Sequence, residues 1–138
     1  IDYGRKRTGI AVSDPLQMIA TGLTTVATHT LLEFITSYLN QNEVELFVVG
    51  KPKQMNDQDS ENMRYIRPFV KKLQEKYPQI PVVLYDERFT SLLAQKAMID
   101  GGVKKKDRQN KALVDEVSAV IILQSYMESL QYKQNLKK

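Results

Sequence analysis

At 138 residues, 42% hydrophobic and 26% charged, the chain has the size and composition of one globular domain with a substantial buried core. No apolar run approaches the roughly 18 residues of a membrane span. The absence of cysteine, with a single histidine, excludes disulfides, thiolate nucleophiles and a Cys/His zinc site and suits a reducing cytoplasm. The net charge is +4, and unless catalysis runs through His29 it has to rest on carboxylates.

The chain opens with "IDYGRKRTGIAVSD", where Ile1 and Asp2 read as a strand already under way, so a few residues are expected to precede Ile1. Residues 2–8 would end that strand and form its turn, and "TGIAVS" would return antiparallel as a hairpin. "TGLTTVAT", rich in β-branched residues, is the next strand. In "THTLLEF", Thr30 and Glu33 have capping-box spacing, so His29 reads as a residue near a helix start and not as a base. Leu31, Leu32, Ile35 and Leu39 then share one face of a helix over 31–41. "ELFVVG" is a short buried strand ended by Gly50 and Pro52.

After a polar stretch, Met63, Ile66, Phe69, Val70 and Leu73 fall at helical spacing, and Pro68 within them predicts a kink or a late start. "PVVLYDE" is a further apolar strand, and "TSLLAQKAMIDGG" a short helix stopped by Gly101 and Gly102. The loop "GGVKKKDRQNK" sets Lys104, Lys105, Lys106, Arg108 and Lys111 against Asp107 alone, a surplus as large as that of the whole chain. Such a loop suits a polyanion, although a merely solvated loop has the same composition. Asn110 can cap a last helix reaching about Tyr132, and 133–138 is expected to fray. With no repeats and no linker, residues 1–138 read as a single α/β domain. Its expected core is a single mixed β-sheet with an N-terminal antiparallel hairpin region and helices on its faces.

Acids stand where burial is expected. Asp2 is in the first strand, Asp86 and Glu87 end "VVLYDE", and Asp115 and Glu116 lie early in a helix that is apolar nearly all round from Val117 to Leu123. An acid in such a place is costly to bury without compensation. Two divalent cations would supply it, because three carboxylates can hold hard ions about 4 Å apart for phosphodiester hydrolysis. Oxygen donors alone suit Mg²⁺ or Mn²⁺. The plainer reading leaves Asp2 in a turn and pairs the other acids with Arg88 or Lys111. Spacing does not choose between Asp86 and Glu87, or between Asp115 and Glu116.

"DYGRKRTGIAVSD" resembles the opening motif of the YqgF family, Asp-x-Gly-x-Lys-Arg-x-Gly-x-Ala-x-Ser-Asp, filled here by Asp2, Gly4, Lys6, Arg7, Gly9, Ala11, Ser13 and Asp14. "FVVGKP" is similar to the family's strand ending in Gly-x-Pro, "DERFTS" to its Asp-Glu-Arg-Leu-Thr-Thr element, and "VDEVSAVIILQSYM" to its closing helix. The likeness runs over nearly the whole chain; Lys51, Phe89 and Ser91 are its departures. It implies an RNase H-like fold with helices on both faces of the sheet. It also implies a catalytic and metal-binding triad of Asp2, Glu87 and Asp115, with two ions of Mg²⁺ or Mn²⁺.

The bases expected to meet nucleic acid are Arg5, Lys6, Arg7, Lys51, Arg88, Lys104, Lys105, Lys106, Arg108 and Lys111. The activity implied is a cytoplasmic endonuclease maturing the 5′ end of pre-16S rRNA. A Holliday junction resolvase acting on four-way DNA is the alternative, and a non-catalytic RNA-binding assembly factor a third reading. The implied partners are nucleic acid, either pre-rRNA or branched DNA, with the ribosomal particle and a homodimer as further options, and no membrane. A phosphotransferase of the actin–hexokinase type also uses an Asp-x-Gly turn, but it needs two such domains to enclose a nucleotide.

Overall fold

The computed structural model describes residues 1–51, 62–86 and 111–136, with side chains in the last segment from 115 to 130. β1 (Asp2–Tyr3), β2 (Arg7–Ser13) and β3 (Ala20–Ala27) form an antiparallel meander in that order. β1 meets β2 with Asp2 opposite Gly9 and Tyr3 opposite Thr8. A bulge between Ile10 and Ala11 shifts the β2–β3 register, so Gly22 comes to face Ala11. The Asp14 side chain organises the β2–β3 turn. Asp14 Oδ1 accepts from the Met18 and Ile19 amides at 2.7 and 2.8 Å, and Gln17 takes a left-handed φ of 56°.

A 3₁₀ turn (Thr28–Thr30) leads into α1 (Leu31–Gln41). The expected capping box is absent. The 3₁₀ turn places the Ala27 carbonyl within 2.7 Å of the Thr30 hydroxyl, which donates there and makes no bond to the helix N-terminus. β4 (Phe47–Lys51) and β5 (Val82–Asp86) pair in parallel, from Phe47 opposite Val82 to Lys51 opposite Asp86. Between them α2 (Met63–Lys76) starts at its first apolar contact and runs through Pro68. Five buried side chains on its inner face offset the one helical hydrogen bond that proline cannot donate. The last helix, α3 (Lys111–Leu136), continues past the expected end near Tyr132, because Gln, Lys and Leu there are good helix formers.

The strands therefore form two small ladders, β1-β2-β3 and β4-β5, where one mixed sheet was expected. Ile1 links them: its amine donates to the Val48 carbonyl at 2.8 Å, and its carbonyl accepts from the Gly50 amide at 3.0 Å. Strand alternation sorts the side chains into two faces. Ile1, Ile10, Phe47 and Val49 join Leu31, Ile35, Ile66, Phe69 and Leu73 in a core beneath α1 and α2, and Tyr3 stacks on Phe69 with ring centroids 5.0 Å apart. The opposite face takes α3, whose Ala119, Ile122 and Met127 are buried. Gln124 of α3 fastens this layer, accepting from the Ala20 amide at 2.9 Å and donating to the Met18 carbonyl at 3.2 Å. Among the described residues no helix is long and apolar enough to cross a membrane.

Candidate active site

Asp2 and Asp115 are brought to the same face by a glycine. In an antiparallel pair, residues directly opposite each other project to one side of the sheet, with Cβ atoms about 4.5–5.5 Å apart. Asp2 lies opposite Gly9. Gly9 has no Cβ, and one built there would collide with the Asp115 carbonyl oxygen. The backbone of α3 at Asp115 thus rests on Gly9, beside Asp2 and on the side to which Asp2 projects. A larger residue at position 9 would lift the helix away.

The same packing separates Asp115 from Glu116. The Glu116 carboxyl group lies over Gly22 on β3. Asp115 turns toward the start of β2 and accepts from Arg7 Nε at 3.0 Å, with side-chain exposures of 26% for the acid and 40% for the base. The cation beside Asp115 is therefore Arg7. Of the partners considered from sequence, Arg88 lies outside the described residues, as does the side chain of Lys111. Because both partners are partly exposed, the pair adds little to stability. Its consequence is orientation, since it holds one oxygen of the carboxylate against β2, the strand that pairs with β1.

Alternation along β5 separates the next two acids. Tyr85 packs edge-on against Tyr126 of α3, at 5.9 Å and 81°. Asp86, one residue on, projects to the other side, in register with Lys51. Burial pushes the Tyr85 phenol up, and the negative charges of Glu128 and Asp86 add to the rise. Asp86 does not share the face of Asp2 and Asp115. Glu87 lies outside the described residues. Among the described residues no group of three His, Cys, Asp or Glu side chains is close enough to hold a metal ion. Asp2 and Asp115 supply two hard oxygen donors without nitrogen or sulfur, a set that fits Mg²⁺ or Mn²⁺ and is short of one ligand.

The turn after Asp2 carries the first bases. Thr28 pins it: its amide donates to the Lys6 carbonyl at 3.0 Å and its hydroxyl to the Gly4 carbonyl at 2.6 Å. Arg5 and Lys6 are left exposed on a fixed loop. A Cβ on Gly4 would meet the Arg7 carbonyl, so the turn tolerates no side chain there. Arg5 lies over the ring of Tyr65, 5.2 Å from its centroid. Lys51 ends β4 at the same end of the molecule. Lys104, Lys105, Lys106 and Arg108 lie outside the described residues. Sequence reasoning passed over Tyr65; its signal was an aromatic residue on the charged side of α2, in "MRYIRP". His29 is exposed in the 3₁₀ turn, as its position before the helix implied.

Comparison with known proteins adds an independent line. A family model described as RuvX, Holliday junction resolvase, matches residues 1–129. A protein of Phocaeicola vulgatus described as a candidate pre-16S rRNA nuclease is 67% identical over 132 residues, spanning 96% of this chain and 95% of its own length. Proteins of Bacteroides fragilis and Bacteroides thetaiotaomicron with the same description are 64% identical over 129 residues and 62% over 132. They cover 94% and 96% of this chain and the same shares of their own lengths.

Proposed function

This chain belongs to the RuvX family of Holliday junction resolvases, and from that membership we propose that it is a metal-dependent endonuclease of structured RNA that processes the 5′ end of pre-16S rRNA. The observation that carries the reading is the seating of α3 on Gly9, which sets Asp115 beside Asp2 on one face. Both acids belong to regular elements, a strand and a helix, so their separation is fixed by backbone packing and not by loops.

Glu87 is the third carboxylate of this proposal. It is the residue on which the family's Asp-Glu-Arg element sets that acid, directly after the end of β5 at Asp86. Bound divalent cations, two ions of Mg²⁺ or Mn²⁺, would supply an activated water and stabilise the leaving oxygen of the phosphodiester. Asp2, Glu87 and Asp115 would hold them through oxygen atoms. Arg7 holds the Asp115 carboxylate in one orientation, and Lys6 meets the phosphates that flank the scissile bond.

The RNase H-like arrangement belongs to the same proposal. With Ile1 bonded to Val48 and Gly50, the two ladders abut in the order β3-β2-β1-β4-β5, which supports one mixed sheet with α1 and α2 on one face and α3 on the other. A cytoplasmic location and action on the ribosomal particle follow from the RNA substrate. The family description favours a second reading, cleavage of four-way DNA junctions, because two-metal hydrolysis does not depend on the sugar. Competition between a pre-16S 5′-end RNA and a four-way junction at one salt concentration separates the two. Asp115→Asn tests the chemistry. It should fold as the wild type and lose about 100-fold or more of the Mg²⁺- or Mn²⁺-dependent cleavage, as expected when a charge at the reacting centre is removed. Undiminished cleavage would refute the assignment.

A further inference from the structure

The outer face of α2 carries a charge pattern that the proposed triad does not use. From Met63 to Lys76 the helix holds five bases, Arg64, Arg67, Lys71, Lys72 and Lys76, against the single acid Glu75. Lys76 is engaged elsewhere, donating to the Thr36 hydroxyl at 2.8 Å. Arg64, Lys71 and Lys72 are exposed, and among the described residues none of them has a carboxylate partner. Arg64 and Lys71 are seven residues apart, so they lie on one line along the helix about 10 Å from each other. Tyr65 and Lys72 form the parallel line beside them.

Tyr65 is 41% exposed although its ring is large and apolar, and the guanidinium of Arg5 lies over it. An aromatic ring layered with arginine, with cations further along the same helix that have no carboxylate partner among the described residues, is an arrangement on which single-stranded nucleic acid stacks its bases while its phosphates meet the cations. The position supports this. Asn62, at the start of α2, donates to the Tyr3 carbonyl at 2.9 Å, and Tyr3 follows Asp2 directly. The platform therefore begins next to the strand that bears the first carboxylate.

We infer that Tyr65, Arg5, Arg64, Lys71 and Lys72 form a binding subsite for a single-stranded segment of the substrate, with an unstacked base on the Arg5–Tyr65 layer and backbone phosphates along α2. The inference rests on the nuclease reading for its substrate, but binding alone tests it. The probe is a fluorescent 12-nucleotide oligouridine, measured by anisotropy in chelator across a monovalent salt series. Tyr65→Leu weakens binding about tenfold through lost stacking. Arg64→Gln with Lys71→Gln lowers the slope of log affinity against log salt by roughly 1.4, as expected for two lost phosphate contacts on a single strand.

Asp115→Asn serves as the control, because it removes cleavage and keeps oligonucleotide binding. Loss of the nuclease reading shows as undiminished cleavage by Asp115→Asn and leaves the chelator measurement standing. If Tyr65→Leu melts early, the double charge variant decides alone, since both of its positions are on the surface. Affinity and salt slope within twofold of wild type in both variants would overturn the inference. So would a wild-type protein that binds no oligonucleotide and takes an acidic protein partner on this face instead.

Discussion

Gly9 has no side chain, and the backbone of α3 occupies the room that leaves. That single contact sets the distance between two acids separated by more than a hundred residues of chain. Arg7, two positions earlier on the same strand and therefore on the same face, then fixes which way Asp115 points. Sequence placed Arg7 among the phosphate-binding bases, and the structure also gives it a structural partner. The pair is worth little as a surface ion pair, but it presents one carboxylate oxygen in a defined direction. Gly9→Ala tests the residue-level account. The new methyl group would press on backbone, which has no rotamer to escape into, so stability should fall by about 1–3 kcal/mol. Urea unfolding measures that loss, and activity should fall with it as α3 is displaced. A fully stable and active variant would show that α3 does not sit where the Gly9 contact puts it.

At the scale of elements, β2 runs from the basic turn beside Asp2 to a turn of the opposite character, where Leu16, Met18 and Ile19 are exposed. Asp14 organises that second turn. The amides of Ile19 and then Met18 donate to its carboxylate and hold its pKa below the ordinary value of 3.8. A lowered folded-state pKa means that the contribution is present above the unfolded value and disappears as pH falls through the folded one. A carbon-detected titration of Asp14 should therefore show a midpoint below 3.8. A midpoint at or above the ordinary carboxylate value would contradict the amide contacts.

Most of these elements were legible in the sequence because their signals are local. The apolar spacing of Leu31, Ile35 and Leu39, the run "FVVG" and the β-branched "TGLTTVA" each declare one element without help from the rest. What was not legible depended on distant contacts. The Thr30–Glu33 spacing fits a capping box, yet a 3₁₀ turn that sequence does not announce diverted the hydroxyl to Ala27. The choice of Asp115 over Glu116 turned on which glycine, Gly9 or Gly22, lies under each. The exclusion of Asp86 needed the contact of Tyr85 with Tyr126 to fix the phase of β5. The family likeness picks Asp115 and Glu87 from the motifs alone, and Glu87 lies outside the described residues.

Over the whole molecule, the excess charge of +4 is distributed in a way that the total hides. The segment 104–111 and helix α2 each carry five bases and one acid, so the rest of the chain is net acidic. A protein arranged this way attracts a polyanion by particular surfaces and not by its mean charge, and its association should be fastest at low salt. The central claim is that Asp2, Glu87 and Asp115 act together as oxygen donors to divalent cations, while their neighbours in sequence do not. Calorimetric titration with Mn²⁺ of Asp2→Asn, Glu87→Gln, Asp115→Asn, Asp86→Asn and Glu116→Gln tests it most directly. The account predicts that the first three lose the binding seen in the wild type and the last two keep it. Retained binding in any of the first three, or loss confined to Asp86→Asn or Glu116→Gln, would contradict it.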